Sequence, residues 1–411
     1  MSVRAVSLAF FFSAMVVGTA YAAGSTGAAG SADELPQASG VRLAGDDGQT
    51  RLIVDLSRKI DVRAFVLANP YRVVIDMPQV AFQFPPRAGE AGRGLIKAFR
   101  FGLVMQGGSR MVIDLARPAR IEQAAVIDAA NEQPARLVLE LAATDRDAFM
   151  RTVAVENRIP EPRRLAPRPE PNPNGDDLRP LIVIDPGHGG IDNGTRAASG
   201  EMEKTIVLEF SLLLRDKIEK AGKYRVLMTR DDDTFVPLGE RVQFARAHQA
   251  SLFISIHADA LRRREGDAQG ATVYTLSERA SDARAARLAE AENQADSIAG
   301  MDLSSEPKDV AGILIDLARR ETKTFSLQFA RAVVGHLKSA ARLHHNPVKS
   351  AGFVVLKAPD VPSVLIELGY VSNKSDLKSL ISPEWRDRAA DCIVQAVDAF
   401  FTTRLAGKGQ N

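Results

Sequence analysis

Over the first third of the chain, apolar and polar residues alternate in short runs. Residues 51–56, 62–67 and 72–77 are rich in β-branched side chains, carry charges between the apolar positions, and are separated by turn residues. A period of two predicts strands with one wet and one buried face. The pattern then recurs: 110–115 echoes 51–56, and 136–141 echoes 72–77. The expectation is a duplicated three-strand unit closing into a small all-β sandwich with approximate two-fold symmetry, assigned to residues 40–150.

Past residue 180 the period changes. Residues 181–185, 225–229, 252–256, 353–357 and 363–368 read as strands, several of them apolar throughout, as buried strands are. Helical periodicity runs through 203–221, 238–249 and 383–401. Such alternation predicts an α/β domain over 180–405, a central mixed sheet flanked by helices. Two further helices, 281–298 and 310–338, are expected from Ala-, Glu- and Arg-rich sequence, and they make 278–345 an insertion into that plan.

The remaining segments set the context. Arg4, an apolar run over 5–17 and small residues up to Ala22 and Ala23 have the order of a signal peptide, 1–23, cleaved near Ala22. The run is shorter than the roughly 20 residues that span a bilayer, so no stable membrane span is expected after cleavage, and the destination is the periplasm. Residues 24–39 read as a flexible Gly/Ala/Ser spacer, and the proline-rich 151–179 as a linker between domains.

Charge changes the picture little. Lys and Arg number 53 against 51 Asp and Glu, which leaves no overall basic excess of the kind a nucleic-acid partner requires. Cysteine matters more. Cys392 is the only one, so there is neither an intramolecular disulfide nor a Cys-rich metal site, and any metal falls to His and carboxylates.

Open α/β sheets carry their chemistry just past the carboxyl ends of the strands. Here three strands end in Asp185-Pro-Gly-His188, Ser255-Ile-His257 and Ile366-Glu367, and Glu203 opens the helix after the His188 loop. Two imidazoles and a carboxylate form a common shell for catalytic zinc, with a position left for water, and a second carboxylate is then needed to move protons. Position alone leaves open whether Glu203 is the ligand and Glu367 the base, or the reverse. Gly187, Gly189 and Gly190 do not follow a phosphate-binding spacing and no P-loop lysine follows them. His248 and His336 fall within helices, while His344 and His345 lie in a connection as weaker candidates for substrate contact.

Asp185-Pro-Gly-His-Gly-Gly190, Glu203-Lys204, Thr229-Arg230 with Leu238 and Arg241, Ser255-Ile-His-Ala-Asp259 and Pro362-Ser-Val-Leu-Ile-Glu-Leu-Gly369 together resemble the zinc-dependent N-acetylmuramoyl-L-alanine amidases. The likeness spans the whole C-terminal half, and the duplicated β region resembles the AMIN domain that precedes such amidases and holds them on peptidoglycan. The resemblance implies one Zn2+ on His188, Glu203 and His257, with Glu367 as the catalytic carboxylate. It also implies hydrolysis of the amide between the lactyl group of N-acetylmuramic acid and the L-alanine of the stem peptide. Arg230 and Arg241 match family positions as structural residues or substrate contacts. In the cell-division branch of the family, the insertion is a regulatory helix that occludes the zinc with an extra carboxylate. Here that is Glu292, or alternatively Glu290, with a LytM-type activator as the partner that withdraws it during daughter-cell separation.

Overall fold

The computed structural model describes residues 35–104, 108–131, 133–156, 177–260, 269–301 and 313–408. The signal segment, most of the spacer and most of the linker lie outside these residues. No helix among the described residues is long and apolar enough to cross a membrane.

The first nine strands are β1 Gln37–Gly45, β2 Gln49–Leu56, β3 Arg63–Leu67, β4 Arg72–Pro78, β5 Ala81–Phe82, β6 Ile96–Leu103, β7 Gly108–Leu115, β8 Ala119–Ile127 and β9 Ala135–Ala143. They form two sheets, ordered β5-β1-β2-β9-β8 and β3-β4-β7-β6. The alternation read from sequence is visible in β2, where Leu52, Val54 and Leu56 are buried and the residues between them are not. Fully burying such side chains contributes about 1.5–3 kcal/mol each. Together with Val73, Ile75, Met111, Ile113, Leu137 and Leu139 they fill the space between the sheets.

The duplication has a specific form. β2 pairs antiparallel with β9, and β4 with β7, so each echoing run hydrogen-bonds to the non-equivalent run of the other half. The order β1-β2-β9-β8 thus repeats as β6-β7-β4-β3, and each unit has four strands rather than the three expected. The additional members, β1 and β6, each carry a bulge against the neighbouring strand. β1 also begins inside the segment assigned to the spacer. Helix α1 (Arg146–Glu156) occupies the start of the segment assigned to the linker, with Phe149 buried against the sandwich.

The second region is a six-stranded mixed sheet. Its strands are β10 Leu181–Pro186, β11 Arg225–Met228, β12 Leu252–His257, β13 Ala271–Leu276, β14 Leu343–Ala351 and β15 Ser363–Glu367, in the order β11-β10-β12-β15-β13-β14. All neighbours run parallel except β13 and β15. Helices α2 Glu203–Lys220, α6 Ile313–Leu337 and α8 Pro383–Lys408 cover one face, over a core that includes Ile182, Ile254, Ile366, Phe210, Phe329 and Ile393. The other face carries α3 Leu238–Ala247, α4 Ala283–Glu292, α5 Ala295–Ile298 and a 3-10 turn, Val354–Leu356. A short helix α7, Lys374–Leu380, precedes α8.

Three expectations are corrected here. Residues 353–357 form the 3-10 turn instead of a strand, because Phe353, Val355 and Leu356 all turn into the core beneath α3 and α4. β13 and β14 add strands on one edge of the sheet. The insertion is narrower than 278–345: Phe329, Ala330, Val333 and Leu337 of α6 are fully buried against the sheet, so α6 and β14 belong to the body of the domain. Among the described residues of the insertion, α4 and α5 are the elements that lie over the strand ends.

Candidate functional site

β10 delivers its chemistry through a reversal of the backbone. His188, Gly189 and Gly190 all have positive φ, +59°, +126° and +53°. A non-glycine residue there is uncommon, and His188 is held by the hydrogen bonds around it. Arg241, on α3, donates to the carbonyl of His188 at 2.7 Å and to that of Pro186 at 2.8 Å, and pairs with Asp185 at 2.8 Å. Arg230 donates to the carbonyls of Pro186, Gly187 and Lys204. Both guanidinium groups are buried, and burial beside Arg241 pulls the Arg230 pKa down to about 10. These bonds make both of them scaffold for the loop. Gly187 leaves no alternative residue, because a Cβ there would overlap the His257 ring.

The loop returns after four residues to place Asp192 against His188. Asp192 Oδ2 lies 2.9 Å from His188 Nδ1, which fixes the proton on that nitrogen and turns the Nε2 lone pair inward. His188 Nε2 sits 3.1 Å from Glu203 Oε1, and His257 Nδ1 sits 3.5 Å from the same oxygen. Ligand atoms of His188, Glu203 and His257 all fall within 4.8 Å of one another. Glu203 is oriented by two backbone donors, Ala258 N–H to Oε1 and Thr195 N–H to Oε2, each at 2.9 Å.

His188 Nε2 and His257 Nδ1 are buried and have no hydrogen-bond partner, a costly arrangement unless a cation takes up both lone pairs. The charges point the same way. Glu203, Asp192, Glu292, Asp259 and Glu367 surround two imidazoles, all of them buried or nearly so. Burial opposes charging of His188, but Glu203, Asp192 and Glu292 outweigh it and hold its pKa well above the usual value. Burial, then Asp259, Glu203 and Glu292, push Glu367 well up. Asp259 is raised to about 7 by burial and by Glu203 and Glu292. A divalent cation among these groups removes the excess negative charge, and His₂-carboxylate is a donor set suited to zinc.

Glu367, at the end of β15, lies beside this cluster. Its Oε2 accepts from the Asp259 N–H at 3.0 Å, while Oε1 is buried without a partner. Glu292, the last residue of α4, reaches the same point as His188, Glu203 and His257, 3.6 Å from His188 Nε2 and 3.3 Å from His257 Nδ1. Burial raises its pKa, with the two histidines opposing. Glu290, the alternative, is exposed on the far side of the helix. His344 lies on β14, where burial and Lys349 lower its pKa to about 4, and it is not among the residues gathered at the cluster.

Two residues escaped sequence reasoning. Asp192 could have been sought as the carboxylate partner that a ligating histidine needs, but its spacing makes sense only once the loop reversal is known. Asp259, within the Ser-Ile-His-Ala-Asp motif, accepts from the Thr195 hydroxyl at 3.0 Å and sits between the ligands and Glu367. Replacing Asp192 by Ala frees the His188 ring and tautomer, and the expected result is a zinc affinity lowered about 10–100-fold, the usual cost of such a partner. Competition with a chromogenic chelator measures it.

A family model described as N-acetylmuramoyl-L-alanine amidase matches residues 182–399, and one described as AMIN domain matches residues 40–141. N-acetylmuramoyl-L-alanine amidase AmiC of Escherichia coli is 33% identical over 389 residues, 91% of this chain and 92% of the relative. AmiC of Neisseria meningitidis is 31% identical over 388 residues, with the same two shares. N-acetylmuramoyl-L-alanine amidase AmiA of Escherichia coli is 38% identical over 222 residues, 54% of this chain and 76% of the relative.

Proposed function

Because the chain belongs to the N-acetylmuramoyl-L-alanine amidases that carry an N-terminal AMIN domain, we propose that it is a zinc enzyme of the periplasm, switched off by its own helix α4. The bond cut joins the lactyl group of N-acetylmuramic acid to the L-alanine of the stem peptide. One observation carries the zinc reading: His188 Nε2 and His257 Nδ1 are buried without partners and converge with Glu203.

In this reading His188, Glu203 and His257 hold the ion. Zinc held there would supply Lewis acidity, which would polarise the scissile carbonyl and make water acidic enough to react near neutral pH. Everything else falls to the chain. Asp192 keeps the His188 proton on Nδ1. Glu367 takes the proton from the attacking water and passes it to the leaving amine of L-alanine. Its apolar, carboxylate-rich surroundings raise its proton affinity, as suits a group that must accept a proton and then give it up. The Asp259 N–H fixes its orientation.

The closed state follows from Glu292. Its carboxylate stands where water and the substrate carbonyl would have to bind, and α4 buries the cluster beneath it. No glycan-linked peptide reaches a site so covered. We take the release to be the work of a LytM-type activator acting in daughter-cell separation, with the sandwich engaging peptidoglycan. The test is mass spectrometry of products from purified peptidoglycan, wild type against Glu292→Ala, without activator. Glu292→Ala is expected to release intact stem peptides with a free L-alanine amine, about tenfold faster than wild type, the factor for 1.4 kcal/mol of a lost closed-state contact. Fragments cut within the stem would point to a peptidase, and an unchanged rate would remove Glu292 as the off-switch.

A further inference from the structure

The outer face of sheet β3-β4-β7-β6 is not solvent-facing. Val74 and Val112 at its centre are fully buried, and they share a core with Phe65, Ala295, Ala299 and Met301. What covers them is the end of the α4–α5 segment. Gly300, at φ +71°, packs so closely that a Cβ would come within 2.9 Å of both Val74 and Val112. Around this apolar centre stand three arginines. Arg72 donates to the Ser297 carbonyl, Arg100 to Ile298, and Arg110 to Ala299 and Gly300 at 3.1 and 3.2 Å. Asp76 holds Arg110 through two bonds, and Asp114 holds Arg100 at 2.6 Å.

These four consecutive carbonyls end and follow α5, where a helix leaves carbonyls short of intrahelical partners; Ser297 O is shared with the Gly300 N–H at 3.0 Å. Three positively charged forks in a row complement them. The segment is short: Gly300 is eight residues beyond Glu292, and Asn293 clamps the junction by bonding Gly352 O and Val354 N–H. The sandwich is in turn seated on the His188 loop, where Ile191 N–H donates to Leu103 O. It has one footing on the body of the enzyme and a grip on the element that carries Glu292.

The geometry points to a latch: the β4-β7-β6 face of the sandwich is the docking surface for residues 297–301 of this chain, and its grip holds Glu292 over the metal cluster. This rests on the autoinhibited reading above. Opening the site then requires breaking the sandwich contact as well as the Glu292 contact, so the sandwich sets how much of the protein is open at rest.

The internal symmetry supplies a control. By register, Arg51 of β2 corresponds to Arg110, Arg136 of β9 to Arg72, Arg42 of β1 to Arg100, and Ile53 to Val112. On the corresponding sheet face Ile53 is only half-buried, while Val138, the counterpart of Val74, is buried. Paired substitutions on the two faces disturb the same cross-strand contacts, but only one face touches α5.

The experiment uses the full chain, loaded with zinc and without activator. It compares Arg72→Ala/Arg110→Ala, Arg51→Ala/Arg136→Ala, Gly300→Ala and Glu292→Ala by amide hydrogen exchange over 283–301 and by dye release from labelled sacculi. Expected for the latch-face pair, which removes three hydrogen bonds to the segment, are faster exchange there and a basal activity raised at least about tenfold, the effect of losing one charge-assisted bond alone. The counterpart pair should leave exchange over 283–301 unchanged and should not raise the basal activity. Gly300→Ala alters only the insertion side, leaves the sandwich intact, and should match the latch-face pair. Unchanged exchange in both latch variants overturns the proposal, as does an equal rise in the counterpart pair, which would reflect general loosening. If Glu292→Ala is active while the latch variants stay at wild-type activity, the latch fails and autoinhibition stands. If no variant, Glu292→Ala included, releases dye, the amidase reading itself has failed.

Discussion

Replacing Glu203 by Ala is expected to give a folded protein that retains no zinc and releases no stem peptides. Glu203 stands beside both imidazole nitrogens, 3.1 Å from His188 Nε2 and 3.5 Å from His257 Nδ1. Without it, two neutral nitrogens remain, and the affinity loss should exceed the roughly 100-fold that removal of a mere supporting residue can cost. Folding should survive at some expense. The Ala258 and Thr195 N–H groups lose their acceptor, about 1–3 kcal/mol for each buried donor left unpaired. Relief of repulsion among the remaining carboxylates offsets part of that cost. Elemental analysis after gel filtration, beside a thermal melt in chelator, separates loss of metal from loss of fold. Stoichiometric zinc in Glu203→Ala would exclude it as a ligand.

Glu367→Gln is the complementary case, with zinc kept and turnover lost. Gln preserves the acceptor for the Asp259 N–H and the volume of the side chain, so the cluster should stay in place. What disappears is the ability to accept and return a proton, a role worth about 10²–10⁴-fold in rate. The measurement is stem-peptide release by the Glu292→Ala/Glu367→Gln double variant against Glu292→Ala alone, with zinc content determined on both. Near-normal release would transfer the proton work to Asp259, the other carboxylate with raised proton affinity beside the ligands.

Much of this was legible in the sequence because the relevant side chains sit where strand ends must put them. His188, His257 and Glu367 follow β10, β12 and β15, and Glu203 opens α2. Legibility stops where the backbone bends unusually. Asp192 reaches His188 only through three successive positive-φ residues, and no periodicity announces such a reversal. β14 was missed for a different reason. It holds Pro347 and two adjacent histidines, and as an edge strand it tolerates a proline that a central strand would not. Residues 353–357 misled in the opposite direction, since a short β-branched run looks the same whether it extends or folds into a buried turn. The role of α6 depended on burial, which its composition did not reveal. β1 and β6 were overlooked because a bulge interrupts their alternation.

The exchanged pairing in the sandwich also governs how this region is made. β2 finds its partner in β9 and β4 in β7, so a chain emerging from its N-terminus holds two hairpins, β1–β2 and β3–β4, each with an open inner edge. Neither half can close alone, and the central pairs form only after the second half has arrived. Such distant pairings fold slowly, on the millisecond-to-second scale. In that interval the waiting edge of one molecule is complementary to the later half of another, so an exchanged dimer competes with the closed sandwich as chain concentration rises.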